Sequence, residues 1–131
     1  MSPSSLPKLT DSEFEIMGIV WEESETTVNH VWETINRRRQ SLLSRTTTLV
    51  QMNRLEEKKW LKHRVAGRTF FYTATRKKDE TLENLVGDIH RRFFRGSSTD
   101  LLRCLFKSVR ISKEEIHKLK EIIRGQEGEP K

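Results

Sequence analysis

One helical surface of this chain carries side chains suited to binding a polyanion. On a helix that begins near Ser44 and ends near Lys58, a period of 3.6 residues places five side chains together: Thr46, Thr47, Val50, Asn53 and Arg54. Their hydroxyl, amide and guanidinium groups can hydrogen-bond base edges or phosphates of duplex DNA, and the threonine and valine methyls can contact thymine methyls. The pattern therefore predicts a recognition helix whose polar side faces outward.

Basic side chains flank this surface. Arg45 stands at the start of the helix, and Arg64 and Arg68 straddle the predicted Ala66-Gly67 turn of a two-stranded hairpin. A basic hairpin after three helices is the order of a winged helix. Because arginine binds phosphate oxygens well, we expect Arg45, Arg64 and Arg68 to contact the DNA backbone or its minor groove.

The charge distribution agrees with this interpretation. Residues 28–78 hold thirteen Lys and Arg against three acids, whereas residues 1–27 are acidic and residues 79–131 are nearly balanced. A concentrated basic block attracts polyanions. A solvated basic surface without a partner is the simpler alternative, and Ser or Thr at a helix start are more often caps than contacts.

Three helices must position this surface. Thr10 and Glu13 form a capping box for the first helix, in which the hydroxyl and the carboxylate satisfy free backbone N–H groups. Either Thr26 or Thr27 can cap the second helix, and Ser44 can cap the third. Each helix shows an apolar face with helical spacing, so we expect the three to share a core.

The predicted fold is mostly α-helical with a small β-hairpin wing. Residues 1–78 form a winged helix-turn-helix, in which segments 60–65 and 68–75 are the two strands. Residues 79–125 form three amphipathic helices with little of their own chain to pack against, so they are interpreted as a dimerisation module, and residues 126–131 as a disordered tail. The apolar positions of the module are Leu82, Leu85, Val86, Ile89, Phe93, Leu101, Leu102, Leu105, Phe106, Ile116, Leu119, Ile122 and Ile123.

Several classes of function find no support in the sequence. Cys104 is the single cysteine and the four histidines are scattered, so neither a disulfide nor a metal site is expected, and no cofactor is implied. No phosphate-binding glycine loop or nucleophile motif points to an enzyme. No apolar run is long enough to cross a membrane, and no signal peptide is evident, so we expect a cytoplasmic protein.

Three segments resemble a known family: LTDSEFEIMGIVW, TTTLVQMNRLEEKKWLKHR and GRTFFYTAT. They are similar to the penicillinase and methicillin-resistance repressors of the BlaI/MecI type, which include a copper-responsive CopY branch. The resemblance covers about residues 9–125. It implies a cytoplasmic dimeric repressor whose winged helix binds a palindromic operator and whose C-terminal helices intertwine.

The resemblance also assigns roles to individual positions. The family's DNA-contacting positions fall on Thr46, Thr47, Leu49 and Val50, although the family usually has a longer polar residue and a Thr at the last two. The glycine that ends the family's recognition helix is replaced by Lys59, which implies either more strain or a different cap at that turn.

Regulation in the family differs between branches. The copper branch carries a C-terminal cysteine cluster, which this chain lacks. The penicillinase branch is inactivated by proteolysis of an Asn-Phe bond, at a position that corresponds here to Cys104-Leu105. The Asn-Phe pair that the protease cleaves is absent here, so the question of whether a sensor protease is a partner of this chain stays open.

Two functions from different classes follow. The favoured one is a homodimeric DNA-binding transcriptional repressor that recognises a palindromic operator through the third helix and the basic wing. The alternative is a winged-helix protein-interaction adaptor without sequence-specific DNA binding.

Overall fold

The computed structural model describes residues 6–128, and the side chains of residues 6–126. The elements, in chain order, are α1 (Asp11–Glu23), β1 (Glu25–Thr26), α2 (Val28–Arg39), α3 (Arg45–Glu57), β2 (Leu61–Ala66), β3 (Thr69–Ala74), α4 (Lys78–Arg92), α5 (Ser98–Ser108) and α6 (Lys113–Gly128). Two compact units divide between Glu83 and Asn84, inside α4, rather than at its start as the sequence suggested.

The predicted caps start the helices of the first unit. The hydroxyl of Thr10 accepts from the N–H of Glu13, and the carboxylate of Glu13 accepts from the N–H of Thr10, which completes the capping box of α1. Thr27, rather than Thr26, caps α2. Ser44 caps α3 by accepting from the backbone N–H of Thr47. Each cap satisfies an N–H group that has no partner within its helix.

The core of the first unit lies where α1, α2 and α3 meet the sheet. Its fully buried apolar side chains come from every one of these elements and include Ile16, Met17, Val31, Met52, Leu55 and Tyr72. Burial of this apolar surface is the main favourable term for folding. Trp60 is also buried in this core, and Trp21 packs against its edge.

The sheet has three antiparallel strands in the order β1-β3-β2. The predicted hairpin is present, with Ala66 opposite Thr69 across a two-residue turn of Gly67 and Arg68. The sequence did not predict β1, whose two residues pair Glu25 with Thr73 and Thr26 with Tyr72. So short a strand has no periodicity of its own, and it exists because β3 offers a free edge.

A single asparagine fixes the turn between α2 and α3. The side-chain oxygen of Asn36 accepts from the N–H of Leu43 (3.0 Å) and the hydroxyl of Ser41 (3.1 Å). Its amide nitrogen donates to the carbonyl of Leu43 (3.1 Å), which also accepts from the indole N–H of Trp32 (2.6 Å). The N–H and the carbonyl of Leu43, the residue before Ser44, are therefore both hydrogen-bonded to α2. These bonds fix the position at which α3 begins.

A partly buried ion pair joins the end of α3 to the start of α1. The Lys58 ammonium donates to Oε1 of Glu13 at 2.7 Å and to the carbonyl of Lys8 at 3.2 Å. Burial alone would raise the pKa of Glu13, but hydrogen bonds from Lys58 and Thr10 outweigh it and hold that pKa below its ordinary value. Glu13 is therefore ionised at neutral pH, and both ends of α3 are fixed.

The second unit consists of amphipathic helices without a buried core of their own. No side chain of α5 is buried. Two details differ from the prediction: Phe93 lies just beyond the end of α4 rather than on its stripe, and α6 continues through residues 126–128, which had been assigned to a disordered tail. The remaining residues of that predicted tail, 129–131, lie outside the described residues.

The Asn36 contacts predict an asymmetric effect of two identical substitutions. We expect Asn36→Ala to lower the free energy of unfolding by about 2 kcal/mol, because the partly buried N–H of Leu43 loses its acceptor and its carbonyl keeps only the donor from Trp32. Asn53→Ala, at an exposed position of α3, should change it by less than about 0.5 kcal/mol. Urea denaturation followed by circular dichroism measures both. Equal costs for the two variants would show that Asn36 does not hold the turn.

The end of α3 predicts a stabilising substitution. Lys59 has a φ of 73°, in the left-handed region where a Cβ is unfavourable. We expect Lys59→Gly to raise the free energy of unfolding by about 1 kcal/mol. Lys59→Ala removes the same charge but keeps the Cβ, so its stability should stay near that of the parent chain. A gain in Lys59→Ala as large as in Lys59→Gly would assign the effect to charge and not to the backbone.

Candidate nucleic-acid interface

The outward side of α3 is the polar surface that the sequence predicted. Thr46, Thr47, Asn53 and Arg54 are exposed, and Val50 is 48% exposed. On the opposite side, Thr48, Met52 and Leu55 are completely buried. The helix therefore shows small and polar side chains to the outside while its apolar side is fixed in the core, which is the arrangement that lets a helix approach base edges closely.

Leu49 does not lie on this outward side. It is half-buried and packs against the core. The family resemblance had placed a DNA contact at this position, where the family usually has a longer polar residue. A leucine there gains more from packing than from reaching into a groove, so the structure gives Leu49 a supporting position at the edge of the surface.

The starts of α2 and α3 lie side by side. The guanidinium Nε of Arg45 donates to the side-chain oxygen of Asn29, in the first turn of α2. The hydroxyls of Ser44 and Thr47 lie 2.9 Å apart at the start of α3. Arg45 is thus oriented by a residue that the sequence reasoning missed, since nothing local connects two side chains sixteen positions apart.

The wing tip presents one of its two predicted arginines. Gly67 has a φ of 64°, which the two-residue turn requires, and Arg68 follows it without an ion-pair partner among the described residues. Arg64, in contrast, donates from Nε and Nη2 to the two carboxylate oxygens of Glu25, each at 2.8 Å, and its guanidinium lies 4.7 Å from the ring centre of Phe71.

The bidentate pair changes the role expected of Arg64. The hydrogen bond from Arg64 lowers the pKa of Glu25, so this carboxylate is charged at neutral pH and neutralises the arginine. Glu25 lies in β1, the strand that the sequence did not predict. In this conformation the guanidinium of Arg64 binds the protein's own sheet, and its contact with phosphate stays a prediction.

Most of the arginine run that ends α2 is also paired within the protein. Arg38 donates to Glu22 at 2.9 Å, and Arg39 donates to Glu15. Both acids belong to α1, so the acidic N-terminal segment neutralises part of the positive charge of the basic block. Arg54 on α3 and Arg68 at the wing tip have no carboxylate partner in the described part of the chain, so both keep an uncompensated positive charge.

His63 connects the wing to α3. Its Nδ1 lies 2.7 Å from Oε2 of Glu56, and its ring stacks on Phe70 with the ring centres 4.4 Å apart. Tyr72 meets the same histidine edge-on at 5.5 Å. The aromatic residues Phe70 and Tyr72 of β3 thus join the wing to α3 through His63.

A groove of about 430 Å³ lies between the two helix starts and the wing. Its lining residues are Thr27, Val28, Asn29, Arg45, Leu49, Arg68, Thr69, Phe70 and Tyr72. Two of the predicted DNA-binding arginines, Arg45 and Arg68, therefore border one concave surface beside the outward side of α3.

The apolar positions predicted for dimerisation are largely exposed to solvent in the single chain. Val86, Phe106 and Ile123 are about half exposed, and Phe93 is 70% exposed. Leu82, Leu85, Leu102, Leu105, Ile116 and Ile122 are exposed as well, whereas Ile89, Leu101 and Leu119 are intermediate. The bond between Cys104 and Leu105 lies inside α5, so its cleavage would require that helix to unwind locally.

Two kinds of site were searched for in the described residues. No group of three or more His, Cys, Asp or Glu side chains there could hold a metal ion. None of the helices is both long and apolar enough to span a membrane.

Comparisons with known proteins agree with this geometry. The family model "Penicillinase repressor" matches residues 9–125. The penicillinase repressor of Bacillus licheniformis is 26% identical over 126 residues, which cover 96% of this chain and 97% of that protein. An uncharacterised 16.5 kDa protein of Latilactobacillus sakei is 28% identical and covers 91% of this chain and 80% of its own length.

Solved structures show the same fold. The solution structure of the DNA-binding domain of the repressor BlaI has a TM-score of 0.50 and 29% identity, and it covers 58% of this chain and 90% of that domain. A cysteine-to-serine mutant of MarR from E. coli has a TM-score of 0.54 at 13% identity over 90% of this chain and 77% of its own, a likeness of fold alone. Because the family model spans nearly the whole chain, this protein belongs to the penicillinase repressor family, whose members are DNA-binding transcriptional repressors and not enzymes.

Proposed function

We propose that this protein is a homodimeric transcriptional repressor that recognises a palindromic operator through α3 and the basic wing. The outward side of α3 carries the proposal: Thr46, Thr47, Val50, Asn53 and Arg54 project together from a helix whose opposite side is buried. A major groove about 12 Å wide admits one helix, and side chains this short allow its backbone to approach the base edges.

The contacts divide into two kinds. Thr46, Thr47 and Asn53 offer hydrogen-bonding groups to base edges, and the Val50 methyls offer an apolar contact to thymine. Arg45, Arg54 and Arg68 face the phosphates, which supply affinity without sequence information. Arg64 adds to the phosphate contacts only if it leaves Glu25, so in this conformation it supports the wing instead.

Dimerisation is the second part of the proposal. The apolar faces of α5 and α6 are uncovered in the single chain, and burying them against a second copy would remove a large apolar surface from water. A closed dimer has two-fold symmetry, and two-fold symmetric proteins bind inverted-repeat sites. Such a dimer represses by occupying a promoter and excluding polymerase, and a DNA-bound role places the protein in the cytoplasm.

Control of this repressor by a sensor protease remains a proposal drawn from the family. The corresponding bond, Cys104–Leu105, is helical and lacks the family's Asn-Phe pair, so a protease would have to accept different side chains. The bond lies among the proposed dimerisation residues, and its cleavage would separate the winged helix from those of α6 and from Leu105 and Phe106 of α5.

Two substitutions in α3 should separate affinity from specificity. We expect Arg54→Ala to weaken binding to all duplex sequences alike and to reduce the slope of log K against log salt by about 0.9, the value for one phosphate contact. Thr47→Ala should change base preference at one operator position by about 1–3 kcal/mol. Selection of duplexes from a random pool, followed by titration at several salt concentrations, measures both.

Arg110→Ala is the matched control, because it removes the same charge from an exposed position outside the basic block. Its effect on the salt slope should be small. If binding does not depend on salt, or if Arg54→Ala and Arg110→Ala behave alike, then α3 is not the DNA-binding surface.

The dimer can be tested without DNA. Size-exclusion chromatography with light scattering should give twice the monomer mass of 15.5 kDa. Phe106→Glu should shift the protein towards the monomer, because a charge at a buried apolar interface lacks a partner. Glu114→Lys, an exposed change on α6 away from its apolar positions, should leave the mass unchanged. A stable monomer without affinity for DNA would instead favour the protein-interaction adaptor.

A further inference from the structure

The groove between α2, α3 and the wing has walls that phosphate binding does not explain. Val28, Leu49, Phe70 and Tyr72 form an apolar part of its lining. A phosphodiester backbone is bound by cations and N–H donors and gains nothing from such a wall. The volume of about 430 Å³ is also within the range of about 300–1,000 Å³ that is usual for small-molecule sites.

The polar part of the lining is cationic. Arg68 has no carboxylate partner among the described residues, and Arg45 donates from its Nε to the neutral amide of Asn29. Neither guanidinium is therefore neutralised by the protein. Two uncompensated positive charges at the rim of an apolar groove complement a ligand with one anionic group and an apolar body.

Tyr72 adds a donor without a partner. Its side chain is fully buried and lines the groove, and its hydroxyl has no hydrogen-bond partner in the described residues. Burial raises the pKa of this phenol, so it remains protonated and able to donate at neutral pH. Buried hydroxyls are nearly always paired, and this oxygen has almost no accessible surface, so a carboxylate oxygen would supply its acceptor once the groove wall moves slightly to admit it.

We propose that this groove binds a small organic anion with a flat apolar body, of the aromatic carboxylate class. The carboxylate accepts from Arg68, Arg45 and the Tyr72 hydroxyl, and the ring packs against Phe70 and Leu49. Phe70 is 45% exposed, so it offers a face that such a ring can cover.

Binding of this anion would oppose binding of DNA. Arg45 and Arg68 are also assigned to phosphates, and a carboxylate that occupies both removes two of the proposed contacts. This regulatory consequence rests on the proposed DNA-binding function, whereas occupation of the groove does not.

Calorimetric titration of the full chain with 2-naphthoate tests the groove directly. We expect one saturable site per chain, with affinity at least about tenfold higher than for the neutral 2-naphthalenemethanol or for inorganic phosphate, because each of these lacks one half of the complementarity. The proposal is overturned if naphthoate shows no saturable binding, or if the neutral alcohol binds as tightly.

Substitutions then place the ligand. Arg68→Ala and Tyr72→Phe should each weaken naphthoate binding about ten- to hundredfold, as expected for loss of one hydrogen bond to a charged group. Tyr72→Phe removes a hydroxyl that the fold leaves unpaired, so its thermal stability should not fall. Arg37→Ala, an exposed arginine outside the groove, should leave the naphthoate affinity unchanged. Affinity within twofold of the parent chain in both groove variants would overturn the assignment.

A final experiment, competition between naphthoate and duplex DNA, distinguishes failure of this inference from failure of the proposed function. Naphthoate should release a bound duplex from the parent chain at concentrations that saturate the groove, and Tyr72→Phe should require more of it. A chain that binds naphthoate but no duplex would refute DNA binding and leave the groove assignment standing. A chain that binds duplex but no naphthoate would refute the groove alone.

Discussion

The placement of α3 depends on how the backbone at Leu43 is held. Asn36 binds both polar groups of that residue, and the indole of Trp32 binds its carbonyl as well. These contacts cross from one helix to the turn that precedes the next, so the direction of α3 follows from the position of α2. At the other end, the Lys58–Glu13 pair fixes α3 against α1. A helix held at both ends can present a defined set of side chains to a partner, because its outward side cannot rotate.

Charge in the first unit is arranged by pairing as much as by abundance. The acidic α1 neutralises Arg38 and Arg39 at the end of α2, and Glu25 neutralises Arg64 on the wing. These exposed pairs contribute little to stability, since solvent and salt screen them. They leave uncompensated the positive charges of Arg45, of Arg54 on α3 and of Arg68 at the wing tip, and a polyanion can bind to these charges.

The wing and α3 form one surface because aromatic and ionic contacts join them. His63 stacks on Phe70 and contacts Glu56 of α3, and Tyr72 is buried beneath them. The same arrangement creates the groove that Arg45 and Arg68 border. A ligand in this groove and a duplex on α3 would thus share side chains, which couples the two without any change of fold.

The sequence by itself determined the parts of the protein that depend on neighbours three or four positions apart. The caps at Thr10, Thr27 and Ser44 were predicted, although Thr26 had been an equal candidate for the second, and so were the buried and outward sides of α3. These features follow from helix geometry, in which spacing alone decides which side chains share a face. The strained φ of Lys59 was likewise implied by a missing glycine.

The tertiary structure alone decided which charges are free. Arg64 pairs with Glu25 across 39 positions of sequence, and β1 forms because β3 presents a free edge to it. Each of these outcomes depends on which segment, distant in sequence, packs beside a given side chain. Local residue spacing does not predict such contacts, because the packing of the whole unit determines them.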